Sequence, residues 1–201
     1  MKRKGILLVF SGPSGAGKGT VCSALRRDDP GFRLSVSATT RPPRSGELDG
    51  VHYFFLKRDD FRKMIDEGQL LEWAEVYGNY YGTPRRFVQE TLDRGEDVIL
   101  EIDIQGALQV KEKFPEAVLI FIAPPSMAEL RSRLTARGTD SREEIERRLG
   151  CTVAEMKLAG RYDYIVINDE ITRALDKVRA IITAEKSRPR YFTSFFEQFI
   201  Q

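Results

Sequence analysis

The sequence predicts an α/β fold, a parallel-sheet core flanked by helices with two excursions leaving it. Three observations carry that prediction. Short apolar, β-branched runs alternate with longer amphipathic segments, as strands joined by crossover helices do. The first run, "GILLVFSG", is apolar on both faces, which suits the middle of a parallel sheet. It leads straight into a glycine-rich stretch, "SGPSGAGKGT" (11–20), and then into a helical pattern.

Taken in order, "KGTVCSALRRDD" puts Val21, Ala24 and Leu25 at helical spacing. "EDVILEID", "AVLIFIAPP" and "YDYIVIND" are three further core strands. Helices "IQGALQVKEKF", "SMAELRSRLTARG" and "ITRALDKVRAIITAEK" follow them, and Ser126/Glu129 and Ser141/Glu144 have capping-box spacing. The stretch from 37 to 91 differs in character. It is turn-rich, then strand-like in "GVHYFFLK", helical in "DDFRKMIDEGQ", and strand-like again in "LLEWAEVYGNYYGTP" with a Gly-Asn turn signal. It reads as an inserted small mixed sheet. A second, Arg-rich unit spans about 126–148, with a break at Arg137-Gly138. The core is then 1–36, 92–125 and 149–201 of one domain.

The composition excludes several classes. The 201 residues allow one domain with a substantial core, and 41% hydrophobic with 31% charged residues suits a soluble globular chain. Thirty-two basic residues nearly balance 30 acidic ones, which argues against a dedicated nucleic-acid binder. No apolar run approaches the roughly 20 residues that cross a bilayer. The apolar run after "MKRKG" is too short for a signal peptide, so a cytoplasmic location is expected. Cys22, Cys151 and the single histidine, His52, are scattered, which makes a Cys/His metal site or disulfide framework improbable.

The glycine stretch nearly matches the phosphate-loop pattern, G-x-x-x-x-G-K followed by Ser or Thr. Gly12, Pro13, Ser14, Gly15, Ala16, Gly17 and Lys18 fit, but Gly19 replaces the hydroxyl, which comes one step later at Thr20. Strand before and helix after are the context that makes the pattern credible. Glycines let backbone N–H groups turn toward phosphates, and the helix N-terminus adds about half a positive charge. Lys18 is then placed for the β- and γ-phosphates. Further on, Arg41 and Arg44 flank the stiff Pro42-Pro43 pair. Two guanidiniums so held suit a phosphate dianion, with Tyr53 and Tyr81 as hydroxyl donors. Taken alone, this segment fits a solvated basic turn equally well.

"SGPSGAGKGT", "SATTRPPRSGELDGVHYFF", "LLEWAEVYGNYYGTP", "ILEIDIQGA", "PPSMAELRSRLTARG" and "IVIND" occur in the order seen in guanylate kinases. The chain resembles that family from Gly5 to the final helix. The resemblance implies an ATP:GMP phosphotransferase, with dGMP as a further substrate, a GMP-binding insertion at 37–91 and a mobile lid at 126–148. It puts Ser37, Glu72, Thr83 and Asp103 around the guanine, and Arg41, Arg44, Tyr53 and Tyr81 around the GMP phosphate. The chemistry agrees: guanine presents N1–H and N2–H₂ side by side, which one carboxylate accepts, whereas adenine has an acceptor at N1 and leaves that carboxylate poorly paired.

The resemblance also implies transfer machinery made of Lys18, Arg41 and the lid arginines Arg133, Arg137 and Arg148, with Asn168 near the adenine of ATP. Glu143/Arg147 and Glu144/Arg148 are spaced i,i+4, so helix-surface pairing competes for some of these arginines. Arg131, Arg142 and Arg147 are left to the surface. Glu101 departs from the aspartate frequent in the family, yet still offers a carboxylate near Lys18. The expected cofactor is Mg²⁺, held by ATP phosphates and water with no direct protein ligand, and Glu101 and Asp103 behind the waters. A protein-binding scaffold of this fold would tend to lose the glycine loop or lid arginines, and both are kept. A kinase for another small phosphorylated substrate is the other rival, against which Glu72 with Ser37 argues. The expected partners are ATP and GMP, not nucleic acid or membrane; monomer and homo-oligomer both stay open.

Overall fold

In the computed structural model, residues 4–136, 138 and 141–192 are described. The central sheet is parallel, in the order β2 (Arg33–Leu34), β7 (Val98–Glu101), β1 (Leu7–Ser11), β8 (Val118–Ala123), β9 (Tyr164–Ile167). Strand β1 is buried along its whole length because its side chains serve two cores. Leu8 and Phe10 pack with Val21, Leu25, Leu175 and Val178 of α1 (Lys18–Asp28) and α7 (Ile171–Lys186). Leu7 and Val9 face the other way, onto Val88, Leu92, Ala107 and Val110 of α3 (Arg85–Asp93) and α4 (Ile104–Lys113). Helices on both faces explain why β1 reads as an unbroken apolar run rather than an alternating one.

The insertion forms a second, mixed sheet in the order β4 (Tyr53–Phe55), β3 (Ser37–Thr39), β6 (Asn79–Pro84), β5 (Leu70–Val76). Helix α2 (Arg58–Asp66) covers it through Phe61, which is fully buried against Ala38 and Leu70. After β8 come α5 (Met127–Ala136) and α6 (Arg142–Lys157), packed through Leu130, Leu134, Ile145 and Leu149. Both capping serines act as the spacing predicts: Ser126 Oγ accepts from the Glu129 N–H at 3.1 Å, and Ser141 Oγ from the Glu144 N–H at 3.2 Å.

Three details differ from the sequence reading. The hairpin turn is Tyr77-Gly78, not Gly78-Asn79. Val76 pairs with Asn79, and the two loop residues both have positive φ, 50° and 77°. That is the twist a two-residue hairpin needs. Helix α3 was not anticipated; only Val88, Thr91 and Leu92 of it are buried, too few to stand out in a turn-rich stretch. Helix α6 runs unbroken through position 148, where the sequence reading changed from lid to core, because Ile145, Arg148, Leu149 and Thr152 form one continuous buried face.

Candidate active site

The glycine loop leaves the carboxyl end of β1, where parallel sheets present their ligand sites. Two of its glycines are sterically required. Gly12 has φ 140°, and a Cβ there would lie 2.2 Å from the Ile122 carbonyl oxygen. Gly17, at φ 92°, stands just before α1, and its Cβ would meet Asn168 Nδ2 at 2.3 Å. Lys18 begins α1 and folds back, donating to the carbonyls of Gly12 at 2.7 Å and Pro13 at 3.0 Å. Burial lowers its pKa, opposed first by the Glu101 carboxylate and then by Glu155 and Asp103. Asn168, after β9, donates to the Ala16 carbonyl at 2.8 Å and so braces the loop from behind.

Two cavities meet at this loop. One, of about 240 Å³, is lined by Gly12, Ser14 and Lys18 of the loop, by Ser37, Arg44, Tyr53, Glu72 and Tyr81 of the insertion, by Glu101 and Asp103, and by Arg148 and Glu155 of α6. The other, of about 310 Å³, is lined by Gly15, Gly17, Thr20, Arg133, Asn168 and Asp169. The loop therefore separates two binding spaces.

Glu72 is only 2% exposed. Its Oε1 accepts from the Thr83 hydroxyl at 2.6 Å, across the β5–β6 pair in which the two residues stand opposite each other. Burial pushes the carboxyl up to about 7, with the Thr83 hydrogen bond acting against it. Gly106 makes room for this group: a Cβ there would lie 2.4 Å from Glu72 Oε2. Asp103 caps α4, its Oδ1 accepting from the N–H groups of Gln105 at 2.7 Å and Gly106 at 3.1 Å. Burial holds the Tyr53 phenol up at about 12, so it stays a donor.

Residues 4–185 match the family model described as guanylate kinase. The chain belongs to the guanylate kinase family. It is 54% identical over 200 residues to a guanylate kinase of Halalkalibacterium halodurans, covering 100% of this chain and 98% of the relative. A guanylate kinase of Caldanaerobacter subterraneus is 57% identical over 188 residues, covering 94% and 91%. Among solved structures, the guanylate kinase of Anaplasma phagocytophilum superposes with a TM-score of 0.80 at 35% identity, over 95% of this chain and 91% of that one.

Within this guanylate kinase fold, the arginines named from the sequence divide. Arg44 lines the first cavity. Arg41 turns back into its own segment, gripping Glu47 by two 2.9 Å hydrogen bonds with its guanidinium 5.5 Å from the Tyr53 ring centre. Arg148 is 8% exposed and bridges elements, donating to Ser14 Oγ at 3.0 Å and Glu144 at 3.1 Å. Arg133 donates to Glu129 at 2.8 Å and to the Asn168 carbonyl at 2.9 Å, at the edge of the second cavity. Arg137 lies outside the described residues. Arg131 pairs with Glu146 across α5 and α6 on the surface. Thr83 is fully buried and reaches the site through Glu72.

Tyr77, Gly106 and Glu155 were missed by sequence reading. A lone glycine early in a predicted helix was a usable signal for Gly106. Glu155 stands seven residues beyond Arg148, on one helix face. For Tyr77 there was none, since its place depends on the turn type.

Proposed function

We propose that this chain transfers the γ-phosphoryl group of ATP to the phosphate of GMP, or of dGMP, giving GDP, or dGDP, and ADP. The observation that carries this reading is the buried Glu72 carboxylate, held by Thr83 on the same cavity as Lys18 of the glycine loop. A carboxylate so placed accepts the paired N–H donors of guanine, and leaves adenine's N1 acceptor unmatched. Ser37 and Asp103, which line the same cavity, take the remaining base contacts. Arg44, Tyr53 and Tyr81 take the GMP phosphate, and Arg41 joins them by exchanging Glu47 for that dianion.

ATP spans the loop, its adenine in the second cavity by Asn168 and its phosphates over residues 12–20, with Thr20 on the phosphates. The GMP phosphate oxygen attacks the γ-phosphorus in line. No covalent protein intermediate is needed, because positioning and charge stabilisation supply the rate. Lys18 and the arginines of the 126–148 unit, Arg133, Arg137 and Arg148, neutralise the charge that spreads over the transferring group. That unit and the 37–91 insertion act as lid and GMP-binding region, and their closure keeps water from taking the phosphoryl group.

The residues present fit a Mg²⁺·ATP complex. Glu101 stands against the loop, its Oε1 3.2 Å from where a Gly19 Cβ would be, and Asp103 shares the cavity. Mg²⁺ on the ATP phosphates would supply charge neutralisation, and these two carboxylates would hold it through water. Among the described residues no helix is long and apolar enough to cross a membrane, and the proposed location is the cytoplasm, where ATP and GMP are met. A coupled assay of ADP formation with ATP and Mg²⁺ tests the reading. Turnover should depend on GMP and be poor with AMP, CMP or UMP; well-folded protein without GMP-dependent turnover would sink it.

A further inference from the structure

We propose that Tyr77 is a positioning residue for the transfer reaction: from the tip of the insertion hairpin, its ring holds Arg147 and Arg148 of α6 so that Arg148 stays against Ser14 of the glycine loop. The inference rests on the kinase reading above and adds to it a physical link between the base-binding insertion and the phosphate site.

The backbone supplies the first observation. Tyr77 is the one non-glycine residue with positive φ among the described residues. The first loop position of this turn type is filled more easily by asparagine, aspartate or glycine. A bulky residue there is a genuine outlier, which points to work done by the side chain. The second observation is where that side chain goes. The Arg147 guanidinium carbon lies 4.3 Å from the Tyr77 ring centre, and that of Arg148 lies 5.7 Å away. Both are within cation–π range.

The third observation is what the ring offsets. Arg147 and Arg148 are like charges that converge on one acid, Glu144, at 3.5 Å and 3.1 Å. A ring face beside them gives both guanidiniums a further favourable contact where their charges crowd together. The chain of contact then runs from Tyr77 to Arg148 to Ser14 Oγ at 3.0 Å. Tyr77 sits one residue past β5, the strand that carries Glu72, and lines the same cavity. Seating a base at Glu72 fixes the hairpin, and the hairpin fixes the arginine that faces the transferring phosphate.

The test uses the full chain with Tyr77→Asn, Tyr77→Phe and Tyr77→Ala, together with Tyr77→Ala in an Arg148→Ala background. Asparagine suits the turn better than tyrosine, so Tyr77→Asn should match or exceed the wild-type Tm. Its kcat should nevertheless fall about three- to thirty-fold, the range of one or two cation–π contacts. GMP affinity measured calorimetrically without ATP should change less than about two-fold, since the base contacts are untouched. Tyr77→Phe keeps the ring and should restore kcat. In the Arg148→Ala background, removing Tyr77 should cost little more. Wild-type kcat in Tyr77→Asn, or a full additional loss in the Arg148→Ala background, would overturn the positioning role and leave the kinase reading standing. Absence of GMP-dependent turnover in the wild-type chain would overturn both.

Discussion

Glu72 concentrates the chemistry of the site into one titratable atom pair. Its pKa near 7, raised from an ordinary 4.5, has its largest cause in burial. The empty protein therefore holds a proton where the unfolded chain has lost it. The contribution to stability is fully present below about 4.5 and is lost as pH rises through about 7. Guanine needs the ionised form, so GMP binding expels that proton and weakens as pH falls below 7. The KM for GMP should climb up to about tenfold per pH unit on the acid side from this group, and the nucleotide's own second phosphate ionisation near 6 adds its slope in wild type and variant alike. Steady-state profiles of wild type and Glu72→Gln check this, because only the wild type should show the steeper slope. Gly106→Ala puts a Cβ 2.4 Å from Glu72 Oε2. It should raise the KM for GMP about tenfold or more while the KM for ATP moves little, since a displaced carboxylate forfeits charge-assisted hydrogen bonds of about 1.5–3 kcal/mol. Lys18→Ala should leave circular dichroism unchanged and cut kcat by about 10²-fold or more, the scale for losing one charge-stabilising donor.

Helices α5 and α6 show how arginines of one short stretch come to different uses. Arg131 and Glu146 join the two helices with side chains about half exposed, 54% and 50%. Pairs so hydrated contribute about 0–1 kcal/mol. Arg131→Ala should lower Tm by no more than about 4 °C with kcat unchanged, measured beside Arg133→Ala, which removes a donor to the Asn168 carbonyl and should lower turnover. Spacing alone separates these residues poorly. Arg131, Arg133, Arg147 and Arg148 all have an acid within reach on the helices. Only Arg133 and Arg148 also reach the glycine loop or its brace, through Ala16, Asn168 and Ser14. The hairpin teaches the same at the level of a turn. The Gly-Asn pair was visible, but one residue of register moved the turn to Tyr77-Gly78, because the strands' pairing, not local composition, sets which residues close the loop.

For the molecule as a whole, the loop is shared by two cavities whose outer walls belong to the insertion and to the 126–148 unit. Ligand binding must then be linked to the folded state. GMP at about 100 times its Kd should add about 2.7 kcal/mol to unfolding free energy, an upward shift in Tm of roughly 5–11 °C for a chain of this size. Differential scanning calorimetry with GMP and with UMP checks it, and an equal shift with UMP would remove the guanine assignment.

Much of this was legible in residues alone. Continuous apolar runs marked β1, β7 and β8 because they are buried on both faces, and the glycines of 11–20 marked the phosphate loop because positive φ excludes side chains. Ordered motifs pointed to Glu72, Arg44 and Lys18. What no one-dimensional pattern held was the choice of side-chain partners: Arg41 closed on Glu47 beside Tyr53, Gly106 opened against Glu72, Tyr77 laid against Arg147 of α6. Side-chain partners are chosen by distance in space, and only the folded chain sets those distances.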